Sequence, residues 1–207
     1  MDFWKRAQEL KDEITQNRRH IHQSAEVGLN LPNTKAFVME KLREYGLKPT
    51  ECGHGVTATL GKPGKTLLLR ADMDALPVAG CAGRFSACER PGRRHACGHD
   101  GHTAVGLGVA QWLADNKETL CGKVKLVFQP AEEGVRGAAA IAASGVLDDV
   151  DWFTAGHIGC DAKPGQVGVA HEGYLATTKF DLEIFGLPCA AGSPEKGHSA
   201  LMCACNT

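Results

Sequence analysis

His95-Ala96-Cys97-Gly98-His99-Asp100-Gly101-His102, with the helix and strand that follow it, decides the reading of this chain. The run packs one thiol, three imidazoles and one carboxylate into eight residues. Cys97 and His99 are two apart, so a turn can aim both at one point. Thiolate and neutral imidazole suit zinc and other borderline-soft divalent metals. Two glycines let the backbone bend around such a point. Working outward, Val105, Val109 and Trp112 follow at helical spacing, and Val124 to Phe128 is a short apolar strand. Ala138 to Ala143 is an alanine-rich helix ending at Gly145, and Trp152 to Ala155 is another apolar strand. Strands alternating with helices predict an α/β sheet covered on both faces.

Upstream, Phe3, Ala7, Leu10 and Ile14 form the apolar stripe of a helix over 3–22. Asn33 is placed to cap a second helix, with Val38, Leu42 and Tyr45 on one face and Gly46 at its end. Val56 to Leu60 and Thr66 to Leu69 flank Lys62-Pro63-Gly64-Lys65 and read as a hairpin-like pair around a type II turn. Downstream the pattern changes near residue 176. Thr178, Phe180, Leu182 and Ile184 alternate with Lys179, Asp181, Glu183 and Phe185, as in a sheet covered on one side. Ser193-Pro194-Glu195 reads as a helix start. One strand and one helix make no stable sheet domain. The expected organisation is therefore a metal-binding domain over 1–175 and the beginning of a second, α+β domain over 176–207.

Composition narrows the function. The chain has 207 residues, 43% of them hydrophobic, and a formal net charge of -1. Near-zero charge gives no electrostatic footprint for nucleic acid or an anionic membrane. No apolar run is long enough to span a bilayer, and the first residues lead into a charged amphipathic segment and not a signal peptide. Nine cysteines are an odd number with no disulfide-framework spacing, which fits reduced thiols in a cytoplasmic protein. Cys203-Ala204-Cys205 has ligand-like spacing but sits in an apolar helical pattern, where a packed free thiol is the commoner case.

In α/β sheets the ligand site lies beyond the carboxyl ends of the strands. Three polar clusters fall there. The strand through Leu69 runs into Asp72-Met73-Asp74, the strand through Phe128 into Glu132-Glu133-Gly134, and the strand through Ala155 into His157. Cys97, His99 and His157 are candidate ligands. Of Glu132 and Glu133, one can bind metal while the other serves as general base for water, the division that metal-assisted hydrolysis needs. A solvated acidic pair is the alternative. Asp74 can orient a ligand from behind, whereas capping or solvation also accounts for Asp72. Asp100 can cap the following helix or orient a ligand. His95 and His102 read as local structure, and His20, His22, His54 and His171 as structural or exposed. Gly106-Leu107-Gly108 lacks the third glycine of a dinucleotide fingerprint and lies inside a helix.

Together, Arg70-Ala71-Asp72-Met73-Asp74-Ala75-Leu76-Pro77, the run 95–102, Gln129-Pro130-Ala131-Glu132-Glu133-Gly134 and Gly156-His157-Ile158-Gly159 resemble the M20 family of metallopeptidases, in its amidohydrolase branch. Arg18-Arg19 with His22 and Glu26 also looks like the end of that family's first helix. Residues 148–151 and 176–181 look most like the aminobenzoyl-glutamate hydrolases of the branch. The resemblance implies a catalytic domain of the zinc-exopeptidase type, helices on both faces of a mixed sheet, interrupted by a lid domain that also dimerises. It implies two divalent ions, zinc or manganese. Cys97 would bridge them, His99 and Glu133 would complete one site, and His157 would serve the other. Glu132 would be the general base and Asp74 the carboxylate behind the ligands. The implied reaction is hydrolysis of the amide of an N-acyl amino acid, aminobenzoyl-glutamate among them, with a homodimer or heteromer formed through the lid.

Two departures accompany the resemblance. Family members are longer and supply one more metal-binding histidine near their C-terminus, which predicts a C-terminally truncated chain. The lid normally carries a histidine at the position of Ala190, within Cys189-Ala190-Ala191-Gly192, and His198 matches a different position. Loss of such an electrophilic donor costs roughly 10²–10³ in rate. A non-catalytic fragment, or a metal-binding subunit that needs a longer partner, is thus the alternative to an enzyme.

Overall fold

A computed structural model describes residues 3–79, 90–134, 136–159, 163–169 and 180–206. The chain divides into two compact units, Met1–Asp161 and Ala162–Thr207. The expected boundary at 175/176 falls outside the described residues.

In the first unit, α1 (Phe3–Glu9), α2 (Lys11–Gln23) and α3 (Pro32–Glu44) precede β1 (Thr50–Cys52), β2 (Gly55–Gly61) and β3 (Thr66–Asp72). Then come α4 (His99–Asp115), β4 (Lys123–Gln129), α5 (Gly137–Ala143) and β5 (Trp152–Ala155). The sheet order is β1-β2-β4-β3-β5. β1, β2 and β4 run antiparallel, and β4, β3 and β5 run parallel. The expected hairpin therefore does not form. β2 and β3 are separated by β4, which pairs Val56 with Phe128 on one side and Ala71 with Phe128 on the other. A turn sequence cannot reveal that a later strand inserts between its two arms.

Period-two alternation places the core. Val56, Ala58 and Leu60 of β2 and Val124, Leu126 and Phe128 of β4 face α3 and α4 in the main cluster, with Leu42 and Leu107. Leu68 and Val127 face the other way and pack with Cys52 and Ile141 of α5. Both faces of the mixed sheet are thus covered by helix, as expected. Burying side chains of this size contributes about 1.5–3 kcal/mol each.

The structure shifts three helical expectations. The helix over 3–22 is two helices meeting at Leu10, whose N–H still bonds the Arg6 carbonyl at 3.0 Å. Asn33 does not cap α3. The carboxylate of Glu26 does, accepting from the Thr34 N–H and hydroxyl at 2.9 Å each and from the Asn33 amide at 2.6 Å, where the helix dipole favours an anion. α4 buries Ala104, Leu107, Ala110 and Leu113 and leaves Val105 and Val109 exposed. It can sit that way because Gly106 lies against Phe128 and Ala71, where a Cβ would stand 3.0 and 3.2 Å from their side chains.

In the second unit, the described part of the alternating segment, 180–185, forms no strand. Only Leu187 and His198 make a β-bridge there among described residues. A strand needs a partner ladder, and alternation alone supplies none. Ser193 opens a single 3-10 turn, Pro194–Lys196, without a side-chain cap. Ser199 is the cap, accepting from the Met202 N–H at the start of α6 (Ala200–Cys205). Cys203 and Cys205 are exposed, and not packed as expected.

Candidate metal centre

The three parallel strands β3, β4 and β5 end on the same edge, and each delivers polar side chains there. Asp74 lies two residues past β3 and is buried. Its carboxylate accepts the backbone N–H groups of Glu132 at 3.0 Å and Glu133 at 3.1 Å. Those two residues follow β4 through a turn in which Ala131 has a φ of 53°. Left-handed backbone at a non-glycine residue costs about 1–3 kcal/mol, and the Asp74 bonds help hold the turn against it. His157 lies two residues past β5.

Cys97 and His99 flank Gly98, whose φ of 103° suits glycine alone. This left-handed residue opens α4 and brings the two side chains to one side. Cys97 Sγ lies 3.4 Å from His157 Nε2. His99 is fully buried, and its Nε2 lies 3.8 Å from both Glu132 Oε2 and Glu133 Oε1. Its Nδ1 faces Asp74 Oδ1 at 3.4 Å, the relation of a carboxylate that orients a ligand imidazole. The structure thus brings together all six side chains singled out in the sequence.

Ligating atoms within 4.8 Å of one another form three groups among the described residues: Cys97, His99 and His157; His99, Glu132 and Glu133; and Asp72, His99 and His102. Nε2 of His99 and Oε1 of Glu133 have no hydrogen-bond partner, although both atoms are buried; the other ring nitrogen, Nδ1, faces only Asp74. Orphaned buried polar atoms are costly, about 1–3 kcal/mol each, so a group that uses them is expected. One thiol, two imidazoles and two carboxylates fit a divalent metal of the zinc type.

Electrostatics agree with that need. Burial, then the hydrogen bond and charge of Glu133, push the Cys97 thiol up to about 11. The thiol therefore holds its proton until a cation takes its place, and metal binding releases that proton. Burial would lower the His99 pKa, but Asp74 and Asp72 outweigh it and raise it.

The other described histidines have varied surroundings. His102 is buried between Asp72 Oδ1 at 2.6 Å and the Ile158 N–H at 2.8 Å. His95 is buried, and desolvation pulls its pKa down to about 4. His20 stacks on Phe37, His54 is exposed, and His22 bonds Asp100 at 2.7 Å. His171 lies outside the described residues. Asp100 is buried against His22, with Arg18 at 3.6 Å, and it lies inside the first turn of α4, whose N-cap position is Gly98. Asp72 is neither a cap nor solvated. It is buried and bound to Arg70 at 2.6 Å. Burial raises its pKa, and His102 and Arg70 outweigh that, so the carboxyl stays below its ordinary range. Arg70 and Asp72, two apart on a strand, share a face, and that spacing was the available sign of their pairing.

Comparison with known proteins agrees with the geometry. The model of peptidase family M20/M25/M40 matches residues 68–200. The chain is 44% identical over 95% of its length to an indole-3-acetyl-aspartic acid hydrolase of Enterobacter agglomerans, covering 49% of that protein. It is 42% identical over 90% of its length to one of the subunits of p-aminobenzoyl-glutamate hydrolase from Escherichia coli, covering 47% of it. A Bacillus subtilis dinuclear metal-binding peptidase of the M20 family superposes with a TM-score of 0.71 at 31% identity, over 74% of this chain and 44% of that one. The chain spans about half the length of the relatives it matches. With its matching motifs gathered at one sheet edge, the chain belongs to peptidase family M20/M25/M40.

Proposed function

We propose that this chain carries the metal-binding half of a hydrolase that cleaves the amide bond of N-acyl amino acids, with p-aminobenzoyl-glutamate as the first candidate substrate. The observation that carries it is the set of buried, partnerless atoms on His99 and Glu133 beside Cys97, His157 and Glu132. Two relatives named for cleaving acylated amino acids support the substrate class.

In this reading Cys97, His99, Glu133 and His157 hold two divalent ions, zinc or manganese. When bound, the ions act as Lewis acids that polarise the scissile carbonyl and make water easier to deprotonate. Glu132 is the more exposed of the two glutamates, at 40% against 23% for the Glu133 side chain. It is free to take a proton from the attacking water on its carboxylate and pass it to the leaving nitrogen. Asp74 fixes the backbone of both glutamates and faces the far nitrogen of His99, so one carboxylate sets the orientation of three site residues.

Among the described residues no helix is long and apolar enough to cross a membrane. A cytoplasmic location, and pairing through residues 176–207, complete the reading. A second reading is a chain that binds metal but turns substrate over only with a further segment. All four β5 residues are exposed, and a groove of about 430 Å³ lies between β5 and α4.

Zinc- or manganese-loaded protein should release p-aminobenzoate from p-aminobenzoyl-glutamate, and Glu132→Gln should abolish release while keeping its metal. Turnover that survives Glu132→Gln contradicts the assignment of the base. Metal uptake with no hydrolysis of any N-acyl amino acid favours the second reading.

A further inference from the structure

His102 has both ring nitrogens committed. The Ile158 N–H can only donate, so Nε2 accepts it, and the ring proton sits on Nδ1 and points to Asp72 Oδ1, 2.6 Å away. Asp72 is itself anchored. Its other oxygen accepts from Arg70 Nη1 at 2.6 Å, its carbonyl accepts from the Thr103 hydroxyl at 2.8 Å, and Arg70 Nε donates to Gln129 Oε1 at 2.9 Å. A chain of bonds therefore runs from β4 through β3 and the first turn of α4 to the backbone of Ile158.

Ile158 passes the constraint on. His157 Nδ1 lies 2.7 Å from the Ile158 carbonyl oxygen. A carbonyl only accepts, so the His157 proton is on Nδ1 and the lone pair on Nε2, the atom 3.4 Å from Cys97 Sγ. One residue thus ties two imidazoles together, with its N–H on His102 and its C=O on His157. The rings also pack edge-on at 4.4 Å. β5 ends at Ala155, so no sheet ladder holds His157, and its side chain is exposed.

We propose that His102, oriented by Asp72, is a positioning residue that sets the tautomer and direction of His157 through the Ile158 peptide. It is not a ligand, because it has no free lone pair. The proposal rests on the reading of Cys97 and His157 as metal ligands.

The test is a double-mutant cycle on zinc affinity, measured by competition with a chromophoric chelator on the folded chain. His102→Leu should weaken zinc binding about 10–100-fold, the usual cost of removing a partner behind a ligand. In the His157→Ala background the same change should cost nothing further. Asp72→Asn provides a second route if His102→Leu does not fold. It should weaken zinc binding in the same direction, again only when His157 is present. An equal loss in both backgrounds overturns the proposal, because His102 would then act on the site by a route other than His157. A folded wild-type chain that takes up no zinc overturns the metal-centre reading and this proposal with it. Zinc uptake with an additive cycle overturns this proposal alone.

Discussion

Three groups of potential ligands share His99, and the atoms of Asp72 and His102 on one side of it differ from those of Cys97, His157, Glu132 and Glu133 on the other in what they are already doing. In Asp72, His99 and His102, both nitrogens of His102 and both oxygens of Asp72 are occupied by His102, Ile158 and Arg70. In the cluster of Cys97, His157 and Glu133 around the same His99, buried atoms of His99 and Glu133 have no partner. Each set offers a carboxylate and an imidazole beside His99, only the second adds a thiol, and burial is greater in the first. The difference teaches that residue type alone does not separate a candidate site from its support: around His99, unpartnered atoms lie on the side of Glu133, and the atoms of Asp72 and His102 are already used.

The sharpest way to break this comparison is to remove one member of each cluster. Asp72→Ala takes the carboxylate away from the half-buried guanidinium of Arg70, which keeps Gln129, and from the buried ring of His102. It should cost about 3–5 kcal/mol of stability in metal-free protein, read from urea unfolding. Cys97→Ala should leave that unfolding curve nearly unchanged and weaken zinc binding by more than the roughly 10–100-fold typical of an indirect partner. A stability loss at Cys97 larger than at Asp72 would reverse the assignment of scaffold and site.

Asp74 stands between the two cases, because it bonds the backbone of Glu132 and Glu133 and faces His99. Asp74→Asn should lower zinc affinity by about tenfold or more through misorientation, measured by chelator competition. An unchanged affinity would mean that the Asp74–His99 approach has no role in ligation.

The smallest effect is a pH dependence away from the site. Burial raises the Glu26 pKa, but the bonds from Thr34 and Asn33 outweigh it and hold the carboxyl below its ordinary range. Its contribution is therefore full above the ordinary carboxylate pKa and is lost as pH falls through the lower, folded value. Glu26→Gln should be less stable than wild type at neutral pH, and the gap in urea midpoint should close in acid. A gap that stays constant with pH would show that charge at this helix end is not what matters.

Much of this was legible in the sequence, for identifiable reasons. β4 and β5 were readable because their apolar runs are bounded by polar residues, and the candidate site was readable as a place in the fold because three strand ends each carry acids or histidine. The place of β4 between β2 and β3 was not readable, since local turn chemistry at Lys62-Pro63-Gly64-Lys65 is silent about which strand arrives later. The alternation was misleading over 180–185, its described part, because a two-faced pattern records what a strand would bury and does not supply its neighbour. Asn33 drew attention as a cap, yet the cap comes from Glu26, seven residues earlier, a contact that only the folded path creates. His102 reads as local structure from the sequence, and its tie through Ile158 to His157 depends on two backbone atoms that no side-chain pattern encodes.

The central claim is that Cys97, His99, Glu133 and His157 form a divalent-metal centre. The most direct measurement is metal content per chain, by elemental analysis of zinc-loaded protein after gel filtration, with Cys97→Ala in parallel. The account predicts about one to two zinc ions per folded wild-type chain and loss of that metal in Cys97→Ala. A folded wild-type chain without metal, or undiminished zinc in Cys97→Ala, would contradict it.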